Sequence, residues 1–261
     1  MKYFDIHSHL NLSPLKEDQD KIIKSLEEKE VGTITVGVDY ETSLMATEIS
    51  RKSQNLFACV GFHPTEADKK EFELEKFREL AGREKVVAVG ECGLDYFRID
   101  KSDLEIKQKQ KDIVNLQIDL SLEKNLPLIL HVRPQKGTMD AYEEVLEILE
   151  ARNNPLIRGD VHFFVGTPEI AERFLKLGFY LSFTGVITFA RDYDEVIRMT
   201  PTDRILTETD APFVSPEPFR KMTCEPWMVE EVVKKIAEIK ELDLEDVRIQ
   251  ILENTKKLFG A

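Results

Sequence analysis

Short apolar runs rich in β-branched residues alternate along this chain with longer stretches in which apolar positions recur every three or four residues. The short runs fall at Tyr3–Ile6, Thr33–Val38, Leu56–Gly61, Val86–Gly90, Leu126–His131, Asp160–Phe164, Phe179–Phe183 and Arg204–Thr207. In VVAVG and LPLILHV the apolar residues are consecutive, which suits strands covered on both faces, as in a parallel sheet. Between such runs, Tyr142, Val145, Leu146 and Leu149 follow the i, i+3, i+4, i+7 spacing of an amphipathic helix. Val229, Val232, Val233 and Ile236 do the same, and Asp243 is placed to cap a last helix with Val247, Ile251 and Leu258 on one face.

About eight strand–helix units follow one another without a linker-like or low-complexity stretch. A repeated βα unit gives parallel strands joined by right-handed crossovers. At 261 residues, closure into a TIM (β/α)8 barrel is expected over an open doubly wound sheet. Open sheets usually carry a glycine-rich phosphate loop after the first strand, and the residues there are HSHLNLSP. The expected architecture is therefore α/β, one barrel domain over residues 1–261, with its active site at the C-terminal mouth.

The chain has 5 histidines, His7, His9, His63, His131 and His162, and each falls at or just past the end of a predicted strand. In a barrel those ends meet at one rim. His7 and His9 are two apart, a spacing that puts both rings on one face of an extended strand. Paired imidazoles beside acids suit a divalent metal better than apolar packing, because every ring nitrogen needs a partner. Glu91 directly follows VVAVG, where an unpaired carboxylate is costly; a pair of cations would neutralise it, and its two oxygens can bridge them. The alternative for Glu91 is a buried ion pair with an arginine. Asp210 follows RILTE where a strand gives way to a loop, and its alternative role is a helix N-cap.

Composition narrows the function classes. No apolar run approaches the roughly 20 residues of a membrane span. The opening MKYFDIHSHL lacks a signal-peptide pattern, so the expected location is cytoplasmic. Cys59, Cys92 and Cys224 are too scattered for a disulfide framework and read as free thiols. A net charge of −13 excludes a broad basic face that coats nucleic acid, but not a polyanion gripped locally. Arg98, Arg133, Arg191, Arg220 and Lys221 lie in loops after strands and are candidates for such a grip. Tyr96, Phe97, Phe163, Phe213 and Phe219 share those loops and could stack on bases, although core packing is the commoner role of an aromatic ring.

The stretches FDIHSHL, VGFHP, VGECGLDY, LILHVR, VHFFVG, ETDAPF and ENTKKLFG, in this order, resemble the TatD family of metal-dependent deoxyribonucleases within the amidohydrolase-like barrels. The resemblance runs from about residue 3 to residue 260. It implies two divalent ions per subunit, Zn, Mn or Mg: one held by His7, His9 and Asp210, the other by His131 and His162, with Glu91 bridging. It implies a substrate-phosphate contact for His63 and places Glu208 and Asp95 near the site. With Asp210, Glu91 and His63 as catalytic groups and His63, Arg133, Arg98 and Arg220 on the substrate, the expected reaction is hydrolysis of DNA phosphodiesters by a two-metal-activated water. The family suggests a 3′-to-5′ exonuclease on single strands. One departure stands out: where the family has a basic stretch leading to Asn-Glu-Pro, this chain reads FRKMTCEP, with Cys224 for the Asn. An ester or amide hydrolase, such as a D-aminoacyl-tRNA deacylase, is the alternative. A metal-binding protein without turnover is a third, opposed by the complete ligand set. The partner is expected to be nucleic acid as substrate, with no membrane contact; a monomer is compatible with the sequence.

Overall fold

Each of the eight apolar runs forms a strand. The computed structural model describes residues 1–100 and 102–261. The strands are β1 (Tyr3–Ser8), β2 (Val31–Val36), β3 (Leu56–Val60), β4 (Val86–Asp95), β5 (Leu128–Arg133), β6 (Gly159–His162), β7 (Tyr180–Phe183) and β8 (Ile205–Thr207). They lie in sequence order in one 8-stranded sheet, every neighbouring pair parallel. The helices are α1 (Gln19–Glu28), α2 (Tyr40–Ser50), α3 (Leu74–Leu80), α4 (Leu104–Lys124), α5 (Asp140–Arg152), α6 (Pro168–Lys176), α7 (Asp194–Met199), α8 (Val229–Lys240) and α9 (Leu244–Phe259). One helix follows each strand, and α9 packs back onto β1 and β8. This is the expected α/β barrel. Among the described residues, no helix is long and apolar enough to cross a membrane.

The helix starts are chemically marked. Asp39 accepts from the backbone N–H of Thr42 at α2, and Thr167 caps α6 ahead of Pro168. Asp243 caps α9 as its position suggested, and Val247, Ile251 and Leu258 are buried there. Inside the barrel, Phe4, Ile6, Ile34, Val36, Ile129 and Leu206 form a cluster that Leu258 and Phe259 of α9 join. A larger apolar layer lies between strands and helices.

The sheet closes through the segment after β8. Asp210 N donates to His7 O (2.9 Å), and His9 N donates to Ala211 O (2.8 Å). The buried Asp5 carboxyl group, which burial pushes well above the usual carboxylate range, reinforces this seam, accepting from His7 N (3.1 Å), Thr209 N (2.9 Å) and Thr209 Oγ1 (2.6 Å). Closure thus fixes His7, His9 and Asp210 relative to one another.

Two register shifts aim the functional side chains. In β1 the pairing with β2 slips between Asp5 and Ser8, and in β4 the pairing with β5 slips between Val89 and Cys92. Each inserts one extra residue, which reverses the in-out alternation beyond it. His7 and His9 therefore share the inner face with Phe4 and Ile6. The structure corrects the expected end of the fourth strand: β4 runs on to Asp95, so Glu91 lies within it at the slip. Gly93 makes this course possible. Its φ is 145°, and a Cβ there would meet the His131 carbonyl oxygen at 2.0 Å. Gly93→Ala is expected to lower the unfolding free energy by about 2–4 kcal/mol through overpacking and backbone strain, read from a urea titration. An unchanged midpoint would contradict that contact.

Candidate metal centre

All five histidines converge with buried acids at the C-terminal rim. Glu91, 3% exposed, stands at the centre. Its Oε2 lies 3.4 Å from His7 Nε2 and 3.9 Å from His9 Nε2. Its Oε1 lies 2.7 Å from His131 Nδ1, 3.3 Å from His63 Nε2 and 3.5 Å from His162 Nε2. Each carboxylate oxygen therefore faces its own set of imidazoles. Asp210 Oδ1 joins the first set, 3.4 Å from His9 Nε2 and 3.8 Å from His7 Nε2.

The rings are held from behind. His9 Nδ1 lies 3.0 Å from Val36 O, which can only accept, so this nitrogen carries a proton and Nε2 is turned toward Glu91 and Asp210. His131 Nε2 bonds Asp95 Oδ2 (3.1 Å), and His162 Nδ1 bonds Glu208 Oε2 (2.5 Å). Carboxylate–imidazole pairs of this kind fix ring orientation at metal sites. Glu208 is itself anchored: its Oε1 accepts from Phe163 N (2.5 Å) and Ser182 Oγ (2.8 Å). Ser182 Oγ also lies 2.7 Å from Asp160 Oδ2. Burial, aided by the Glu208 charge, pushes the Asp160 carboxyl well above its usual range, so it can keep its proton and share it with Ser182.

Burial and neighbouring charge compete at every group. For Glu91, burial favours the neutral form, yet His63, His7 and the bond from His131 hold it well below the usual carboxylate range. Asp210 and Asp95 are lowered against burial by bonds from His9 and His131 respectively. Burial lowers both His7 and His63, whereas at His9 burial is outweighed by Asp210 and Glu91, which raise it. At His131 burial is outweighed by Asp95 and Glu91, which push it up to about 9. At His162 burial is outweighed chiefly by Glu208, which pushes it up to about 10.

This donor set fits divalent cations. His7 Nε2 and His9 Nε2 lie 3.2 Å apart, with Glu91 Oε2 and Asp210 Oδ1 each within 4 Å of both, so two imidazole nitrogens and two carboxylate oxygens converge on one point as ligands of a shared cation do. His7, His9 and Glu91 present atoms close enough to share one ion, and mixed imidazole and carboxylate ligands suit Zn²⁺ or Mn²⁺. Above these groups lies a cavity of about 620 Å³, bordered further out by Arg98, Arg133, Phe163 and Phe213.

Residues 4–260 match the family described as TatD related DNase. The chain belongs to the TatD family. It is 40% identical over 260 residues, 98% of each chain, to the Bacillus subtilis protein described as uncharacterized metal-dependent hydrolase YabD. It is 31% identical to Escherichia coli YcfH, described in the same words, over 98% of this chain and 94% of that one. The crystal structure of the TatD homologue YjjV from Escherichia coli matches with a TM-score of 0.88 at 27% identity, covering 100% of this chain and 98% of that one. A TatD family hydrolase from Entamoeba histolytica shares the fold, with a TM-score of 0.84 at 22% identity over 99% of this chain and 98% of that one. The chain is thus a metal-dependent hydrolase.

In this TatD chain the structure brings His7, His9, His63, Glu91, His131, His162 and Asp210 to one place. Asp210 is not an N-cap: its φ is 53° and its carboxylate faces His9. Arg98 and Arg133 border the cavity, Arg133 stacked on Phe97 at 4.1 Å. Arg220 does not border it; it stacks on Phe189 at 3.9 Å and donates to Ser215 O. Arg191 pairs with Asp194. Tyr96 is unavailable to a substrate, being buried with its hydroxyl donating to Glu144, and Phe219 packs on Trp227. Sequence reasoning misses Asp160 and Ser182. The available signal was a polar residue inside a strand whose two faces are both covered.

Glu208→Gln is expected to weaken metal binding by about 10–100-fold, measured by calorimetric titration of metal-stripped protein. His131 and His162 titrate above their ordinary 6.5 in the metal-free chain, so both are charged at neutral pH. A metal must displace those protons: its apparent affinity should rise with pH, and binding at neutral pH should release protons. Without metal, the imidazolium–carboxylate pairs stabilise the fold fully below pH 6.5 and lose that contribution as pH climbs through about 9 to 10. The melting temperature of metal-free protein should fall over that window, while a zinc-loaded sample should not follow it.

Proposed function

We propose that this TatD protein, acting as one barrel domain in the cytoplasm, hydrolyses phosphodiester bonds of DNA, removing nucleotides from the 3′ end of single strands. The observation that carries the reading is Glu91, whose two oxygens face different histidine sets as a bridge between two divalent ions requires. When bound, such ions supply an acidified water and neutralise charge on the phosphoryl oxygens.

The chain's own groups account for the remaining work. His7, His9 and Asp210 would hold one ion, and His131 and His162 the other. Asp210 is an ionised carboxylate at the cavity and is placed to take the proton of the attacking water. His63 serves as a donor rather than a ligand. The Thr65 backbone N–H donates to its Nδ1 (3.2 Å), so the neutral ring carries its proton on Nε2, the atom facing Glu91. That N–H can bind a non-bridging oxygen of the scissile phosphate. Arg98 and Arg133 supply positive charge beside the site, and Phe163 and Phe213 offer apolar faces to a base. Such a grip is local, in keeping with an acidic chain. The family's description as a DNase favours DNA as substrate.

The test is a time course with metal-reconstituted protein and single-stranded DNA labelled at either end. Label at the 3′ end should be released first with Mn²⁺, Mg²⁺ or Zn²⁺. Glu91→Ala should abolish release, and His63→Ala should lower kcat by about 10²–10³-fold. An aminoacyl-tRNA and a simple ester run alongside. Cleavage of either in place of DNA, or full activity in the Glu91 variant, would overturn the nuclease reading.

A further inference from the structure

Helix α4 carries two buried glutamines outside the groups considered so far, Gln110 and Gln117, 2% and 1% exposed. Their spacing of two helical turns places them on one face. A primary amide is an expensive group to bury unless its hydrogen bonds are made, so what these two bind is informative. Gln117 pairs with one residue twice: its Oε1 accepts from Phe62 N (2.8 Å) and its Nε2 donates to Phe62 O (3.0 Å). Phe62 lies beyond the end of β3, where the ladder no longer serves its backbone. Gln110 Oε1 accepts from Asp95 N (2.9 Å), and its Nε2 donates to Asp95 O (3.2 Å) and Pro64 O (3.1 Å). The two amides thus grip the backbone on both sides of His63 and at Asp95.

These backbones carry His63, and through Asp95 support His131, at one oxygen of Glu91; His162, at the same oxygen, is held by Glu208. Asp95 orients His131, and both His131 Nδ1 and His63 Nε2 approach Oε1. The groups around Oε2 are tied down elsewhere: His7, His9 and Asp210 by the β8–β1 seam, and His9 also by Val36. We propose that Gln110 and Gln117 are positioning residues that set the Oε1 half of the centre independently of the Oε2 half, so that α4 governs the affinity of the second ion and the placement of His63. This rests on the two-ion reading above.

The experiment titrates metal-stripped full-length protein with Zn²⁺ by calorimetry, comparing wild type with Gln110→Met and Gln117→Met, which keep side-chain length and lose the hydrogen bonds. Wild type should bind two equivalents per chain. In each variant one equivalent should keep its affinity within about twofold while the other weakens by at least about 10-fold, the scale of lost outer support at a metal site. If a Met variant does not reach the wild-type far-ultraviolet circular dichroism spectrum, Gln110→Glu and Gln117→Glu, which keep the acceptor and lose the donor, replace it with the same expectation. Equal weakening of both equivalents, or of neither, in variants with the wild-type spectrum overturns the positioning role and marks the glutamines as loop support only. A single equivalent in wild type overturns the two-ion reading instead, and the positioning role with it.

Discussion

A charged carboxylate almost sealed from water is the constraint on which this molecule turns. Desolvating one such group costs on the order of several kcal/mol, and Glu91 bears that cost among imidazoles that burial would rather keep neutral. Three of the imidazoles are held by a partner further out: His131 by Asp95, His162 by Glu208 and His9 by the Val36 carbonyl. Removing Glu91 would leave imidazoles crowded together, and removing the imidazoles would strand the carboxylate. Cations satisfy both at once, which is the physical reason for a metal-dependent hydrolase to carry this centre.

The barrel supplies that centre by two mechanical devices. The seam between β8 and β1 closes through backbone bonds from Asp210 and His9, so closing the sheet and assembling the Oε2 side of the centre are one event. The extra residues in β1 and β4 then turn His7, His9 and Glu91 to the inner face, where strict alternation would send them outward. In β4, Gly93 is the residue that lets the strand pass the His131 carbonyl.

Around the mouth, charge is spent sparingly. The chain as a whole repels a polyanion at long range, with a net charge of −13. Its cavity nevertheless carries Arg98 and Arg133 beside aromatic surface. The Arg133 guanidinium lies over the Phe97 ring, a cation–π contact. Arg220 is matched in the same way with Phe189, outside the cavity. For a polyanion, such a surface offers short-range contact rather than steering from solution.

Read alone, the sequence determined the barrel, because runs covered on both faces followed by helical periodicity admit few packings, and it determined which histidines and acids cluster, because each lies at or near the C-terminal end of an apolar run. It also showed Asp243 as a cap, since capping is a local property of a few residues. Tertiary structure decided the rest. Whether Glu91 follows its strand or lies within it depends on a register slip that only the neighbouring strand defines. That Arg98 and Arg133 border the cavity and Arg220 does not is a matter of where loops fold, which periodicity does not encode. Asp95, Glu208, Ser182, Gln110 and Gln117 owe their roles to partners up to 55 positions away, and a hydrogen bond across that separation leaves no mark on the spacing of residues along the chain.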